Sequence, residues 1–277
     1  MLSIYPCIWF NNQAEQAAAF YQEVFPDAER LSENPMVVSL SIRGTRMMLL
    51  NGGPMYHANA AISYFVYCGS DEEIERVYAA FTAKGSILMP LGSYPWTRRY
   101  AWVIDQFGVS WQLDVDPIRS AQKIVPALLF SQPQGHVVAE AVWHYTRIFE
   151  PSMILMEAPH PPQAGMPDGA LLFAQFKLHD YIFNSMSSTE HHDFQFGPGN
   201  SFVVECDTQE QIDHFWSELG SGGQYQMCGW LVDRYGVSWQ IIPTILPQLM
   251  ADPSKRDKVV EAFMKMQKFE ISGLLEA

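Results

Sequence analysis

The order of apolar and polar positions predicts a recurring alternation of strand and helix. Ser3–Phe10 reads as a strand. Apolar residues then change period, and Ala14, Ala17, Ala18, Tyr21 and Val24-Phe25 recur at helical spacing. Asn11-Asn12 offers a cap in front of that helix, and Pro26 stops it. Residues 36–42 and 46–50 return to strand period around a turn at Arg43-Gly44-Thr45. The pattern then starts again. Ile62–Cys68 is aromatic and β-branched. Ser70 with Glu73 marks a capped helix striped by Ile74, Val77, Tyr78 and Phe81, and Gly85 ends it. Strands are expected at 87–89, 100–104 and 109–115, with the turn Asp105-Gln-Phe-Gly108 before the last.

The same text is written twice. Asp105-Gln-Phe-Gly-Val-Ser-Trp-Gln-Leu113 recurs as Asp233-Arg-Tyr-Gly-Val-Ser-Trp-Gln-Ile241. Pro6 to Phe10 matches Pro126 to Phe130, and Ser63 to Cys68 matches Ser201 to Cys206, in the same order. A period this long indicates a duplicated domain rather than a solenoid. The reading divides the chain into residues 1–117, 118–245 and a C-terminal tail, 246–277, with the linker at 118–123. In the tail, Asp252-Pro253 predicts a helix start, and Val259, Val260, Phe263, Met264, Met266 and Phe269 give it an apolar face. That face is expected to pack on a domain or on a partner subunit.

Composition narrows the classes. Lys and Arg number 17 against 30 Asp and Glu, for a net charge of −13. Nucleic-acid binding depends on cationic side chains displacing counterions, so nucleic acid is not an expected partner. No apolar run is long enough to span a membrane, and the first residues carry no signal-peptide pattern; the expected location is the cytoplasm. The four cysteines, Cys7, Cys68, Cys206 and Cys228, form no C-x-x-C pair and read as buried reduced thiols.

Paired β-α-β-β-β units ending in D-x-[FY]-G-V-x-W resemble the vicinal-oxygen-chelate superfamily, which includes glyoxalase I, extradiol dioxygenases and antibiotic-resistance proteins. Pro6-Cys-Ile-Trp-Phe10, Ala14-Glu15, Phe20-Tyr21, Phe25-Pro26, Asn51-Gly-Gly-Pro54 and, later, Cys228 to Asp233 look most like its PhnB-like group, often labelled 3-demethylubiquinone-9 3-methyltransferase. The resemblance implies an α+β chain: a tandem pair of glyoxalase/bleomycin-resistance-type domains, each built from paired βαβββ units that form a curved, cup-shaped mixed sheet. It does not imply a reaction, because members of the superfamily do unrelated things. No glycine-rich strand-to-helix loop of the kind that binds dinucleotides or S-adenosylmethionine is present.

Alternation along the closing strand sets Val109, Trp111 and Leu113 under a helix and Ser110, Gln112 and Asp114 toward the cleft. Metal-dependent relatives place His and Glu on four sheet positions. Here Gln112 and Gln240 stand where such a relative carries Glu, and a neutral amide is a poor ligand for a divalent cation. No metal or other cofactor is therefore expected. Of the histidines, His179 is the one placed to face the second cleft. Residues 88–100 of the first copy form an insertion rich in aromatics. It reads equally as a lid carrying Tyr94, Trp96 and Arg98 or as a hairpin packed on the sheet edge.

Three functions remain open. One is a cup that binds a small molecule without a metal, using Asn51, Ser110, Gln112, His179 and Gln240 with the lid residues Tyr94, Trp96 and Arg98. Another is a glyoxalase- or dioxygenase-type enzyme with an atypical ligand set such as Cys7 with Asp114. The third is an assembly module docking through the tail. Monomer and homodimer both fit the sequence.

Overall fold

The computed structural model describes residues 2–115 and 121–277. The expected boundary at Asp116-Pro117 and part of the 118–123 linker lie outside the described residues. Four motifs follow one another. The first is β1 (Ser3–Phe10), α1 (Ala14–Val24), β2 (Glu29–Glu33), β3 (Val37–Ile42) and β4 (Thr45–Asn51). The second is β5 (Ile62–Cys68), α2 (Asp71–Thr82), β6 (Ser86–Tyr94), β7 (Thr97–Ile104) and β8 (Ser110–Val115). The third is β9 (Ile124–Phe130), α3 (Val138–Ile148), β10 (Ser152–Pro159), β11 (Leu171–Leu178) and β12 (Tyr181–Ser187). The fourth is β13 (Asn200–Cys206), α4 (Gln209–Gly220), β14 (Gln224–Tyr225), β15 (Trp230–Val232) and β16 (Ser238–Pro243). The tail holds α5 (Leu246–Ala251), α6 (Arg256–Phe263) and α7 (Ile271–Leu275). Among the described residues no helix is long and apolar enough to cross a membrane.

Two compact units result: residues 8–195, and residues 1–7 with 196–277. The larger contains a complete eight-stranded mixed sheet, ordered β10-β11-β12-β9-β5-β8-β7-β6. The smaller contains the strands β14-β15-β16-β13 with the start of β1; the end of β1 and β4-β3-β2 belong to the larger.

The sheet of the larger unit joins the second motif to the third, one from each copy of the duplication. At the seam between them β5 pairs antiparallel with β9 from Ile62↔Leu128 to Val66↔Ile124. Both strands are apolar along nearly their whole length. Such central strands need partners on both sides, and periodicity does not say which strand supplies them.

Local corrections have equally local causes. Asn12 lies at φ 56° and does not cap α1; Asn51 reaches over from β4, and its Oδ1 accepts from the Ala14 N–H at 2.9 Å. Ser70 caps α2 as expected, accepting from the Glu73 N–H at 3.2 Å. Strand β2, Glu-Arg-Leu-Ser-Glu, has too little alternation to be expected from sequence. Asp252 ends α5 and leads into the turn before α6, which begins at Arg256: its carboxylate accepts from Ser254, and its carbonyl accepts from the Arg256 N–H at 2.9 Å.

The repeated Asp-x-aromatic-Gly-Val-Ser-Trp segment is explained by one buried carboxylate per copy. Asp105 Oδ1 accepts from the N–H groups of Phe107 and Val109, and its Oδ2 accepts from Trp111 Nε1 at 2.9 Å and Tyr21 OH at 2.8 Å. Asp233 repeats the arrangement with Tyr235, Val237 and Trp239. Gly108 and Gly236 sit at φ 86° and 94°, which closes the turn that brings these donors together.

Candidate functional site

The two faces of the larger unit's sheet differ in what covers them. Trp111 stacks on Phe81 of α2, with ring centroids 5.0 Å apart, and Phe176 stacks on Tyr145 of α3. These contacts mark the helix-covered face. By alternation, Ser110 and Gln112 on β8, Ser63, Phe65 and Tyr67 on β5, and Phe173 and Gln175 on β11 belong to the opposite, open face. The cross-strand register agrees: Phe65 lies beside Gln112, Trp102 beside Gln112, and Gln175 beside Asn184.

The floor of this open face is a buried apolar cluster of Phe65, Tyr100, Val125 and Ala127. Seven half-buried apolar side chains pack around it: Tyr67, Met89, Tyr94, Trp102, Phe173, Ile182 and Met186. Polar groups run between them in two short chains. Tyr100 OH donates to Gln112 Oε1, and Gln112 Nε2 donates to Ser63 Oγ at 2.7 Å and lies 3.4 Å from Met186 Sδ. Burial first, and the charge of Asp114 second, push the Tyr100 phenol above its ordinary range. The phenol therefore stays protonated and fixes which end of the amide accepts. On the other side, Gln175 Nε2 donates to Asn184 Oδ1 at 2.9 Å, and Asn184 Nδ2 donates to Tyr67 OH at 3.3 Å. Trp102 Nε1 donates to Ser110 Oγ at 2.8 Å.

The sequence-derived candidates separate on this map. Ser110 and Gln112 lie in the floor, and Gln112 is only 1% exposed. Tyr94 borders the face, its ring 5.2 Å from Trp96 and 5.6 Å from Tyr100. Trp96 is at the tip between β6 and β7 and is 62% exposed. Residues 88–100 thus form a hairpin with a rim of aromatics. Arg98 does not turn to the face: its guanidinium pairs with Asp71 of α2 at 2.8 Å, and Arg99 likewise pairs with Glu75. Acidic residues in the N-terminal part of α2 attract both arginines, Asp71 in the first turn and Glu75 just beyond it. Asn51 is committed to Ala14 and, through Nδ2, to the Pro35 carbonyl at 3.0 Å. His179 sits at φ 52° in the turn between β11 and β12, its N–H bonded to the Pro151 carbonyl, and not on a strand face. Gln240 belongs to the smaller unit, where its Nε2 donates to Ser201 Oγ at 3.0 Å.

Tyr67, Tyr100, Trp102, Gln175, Asn184 and Met186 were not singled out from sequence. The polar Asn184-Ser185 pair inside β12 was the available signal for Asn184.

Cys7 and Asp114, paired in the atypical-ligand reading, belong to different units. In its own unit Cys7 is buried beside Gln240 and Ser201, and burial pushes its thiol up to about 11 against the pull of those two hydrogen bonds. Cys68 is pushed to about 11 and Cys206 to about 12, again by burial first. A raised value leaves these thiols protonated at pH 8, so native labelling with a thiol-disulfide reagent should modify at most the half-buried Cys228; all four should react after denaturation. Fast native labelling of Cys7 at pH 8 would contradict this. Beside the single carboxylate of Asp114, the polar groups of the open face are neutral amides, hydroxyls, an indole and a thioether, a set too poor in anionic or imidazole ligands to fit a divalent cation. Among the described residues no three His, Cys, Asp or Glu side chains come together in a metal-holding group.

The comparisons match this architecture. The family model for 3-demethylubiquinone-9 3-methyltransferase matches residues 2–114 and again 122–242. The chain belongs to that family. Within it the match covers both copies, including all four motifs. Glyoxalase I from Zea mays shares the fold with TM-score 0.60 and 11% identity, over 91% of this chain and 97% of that one. A PhnB protein from Bacillus cereus is 30% identical over 40% of this chain and 98% of its own, with TM-score 0.38. No curated protein sequence matches the chain.

Proposed function

We propose that the open face of the larger unit's sheet binds a small, largely apolar organic molecule without a metal. The observation that carries this is the gathering of seven half-buried apolar side chains over a floor threaded by hydroxyls and amides. An apolar surface left open on a sheet is costly in water unless something covers it, and a few placed polar groups give a ligand its orientation. The family name alone assigns no reaction to this face, whose one acidic side chain on β8, Asp114, accepts from Thr97 at 2.7 Å. Its setting in this reading is the cytoplasm, as a monomer or homodimer, where four free cysteines remain reduced.

A thermal-shift screen of uncharged organic metabolites, followed by hydrogen exchange on the best binder, tests the reading. Protection is expected in β5, β7, β8, β9 and β12, and Trp102→Ala should weaken binding at least tenfold. Protection confined to the smaller unit, or affinity indifferent to Trp102→Ala, would overturn it.

A further inference from the structure

We infer that the preferred ligand of this face is a planar aromatic molecule carrying no negative charge. The inference rests on the reading of the face as a binding surface and adds the ligand's chemistry. Phe65, Tyr67, Tyr94, Tyr100, Trp102 and Phe173 present rings from both motifs; Phe65 lies 5.9 Å from Tyr67, 6.3 Å from Tyr100 and 6.5 Å from Phe173. Met89 and Met186 add polarisable thioethers, which favour contact with ring edges and faces. A flat π-system gains most from such walls, through offset or edge-to-face contacts that a saturated ring of equal size cannot make.

Charge decides the rest. The strong donors of the floor are already committed: Tyr100 to Gln112, Gln112 to Ser63, Gln175 to Asn184, and Asn184 to Tyr67. An anion would thus gain few hydrogen bonds from these groups in return for its water. Along β11 the nearest cation on the open side is Lys177, at the far end of the strand, and it pairs with Asp180 at 3.1 Å. Asp114 lies on the same side of β8, opposite Tyr100 and Tyr67 in register, with Oδ1 accepting from Thr97 at 2.7 Å. A carboxylate there repels an anionic ligand, as does the net charge of −13.

The test uses the full-length protein labelled with 13C at the methionine methyls, with Met89 and Met186 assigned through Met89→Leu and Met186→Leu. Three probes of matched size are titrated: 1-naphthol, 1-naphthoate and the saturated 1-decalol. The expected result is that 1-naphthol shifts both methyl signals, while 1-naphthoate and 1-decalol bind at least tenfold more weakly. Equal affinity for 1-naphthoate or 1-decalol, read on the same two methyls, would overturn the ligand class and leave the binding face standing. Silence of both methyls with all three probes would overturn the face together with the class.

Discussion

Asp105→Ala is expected to lower the stability of the larger unit by about 3–5 kcal/mol, because it strands several donors at once. Asp105 is 3% exposed and serves two backbone N–H groups, an indole and a phenol. Once the carboxylate is gone, Trp111 Nε1 and Tyr21 OH stay buried without that acceptor, and the turn that aligns β8 loses its staple. Asp105→Asn keeps one acceptor oxygen and should cost less. Denaturant unfolding followed by tryptophan fluorescence reads both changes. A loss below about 1 kcal/mol for Asp105→Ala would mean that the repeated motif is not held by its carboxylate. Because Ser110 and Gln112 follow directly on this turn, the same substitution should also disturb the open face.

Phe269→Ala should cost the smaller unit about 3–5 kcal/mol, the range for removing a large buried aromatic. Phe269 is 2% exposed in the tail and meets Phe263, 6.1 Å between ring centroids. The tail is sewn to its own unit by the backbone as well. Cys228 and Gly229 donate to the carbonyls of Met266 and Gln267, both at 2.7 Å. Gln209 clamps the chain from α4, donating to the Phe269 carbonyl and accepting from the Ile271 N–H. Truncation after Ile245 should therefore destabilise the unit more than Phe269→Ala alone. A truncated chain with unchanged unfolding would instead favour the tail as a docking arm for a partner.

How much of this was readable beforehand depends on the range of the interaction. Periodicity located α1, α2 and most strands, because each buries one face against the layer beside it. It also put Gln112 and Ser110 on the correct side of β8, because alternation is a local property. What it missed depends on distant partners. Asn51 looked like a cleft amide, but its cap on α1 and its bond to Pro35 depend on how β4 ends beside that helix. Arg98 looked like a clamp until α2 placed Asp71 within reach. The pairing of β5 with β9 across the duplication could not be read from either strand, since both are apolar along nearly their whole length. For the same reason the rings and amides of β11 and β12, which complete the open face from the second copy, had no reason to be grouped with Gln112.

Native mass spectrometry of the wild-type chain and of Met186→Lys, each incubated with the same small-molecule extract, tests the central claim most directly. Circular dichroism first confirms that the variant is folded. The account predicts a small-molecule adduct on the wild-type protein that is lost from the variant, because the new charge lies among the rings of the open face. The same adduct on both chains, or none on either, would contradict it.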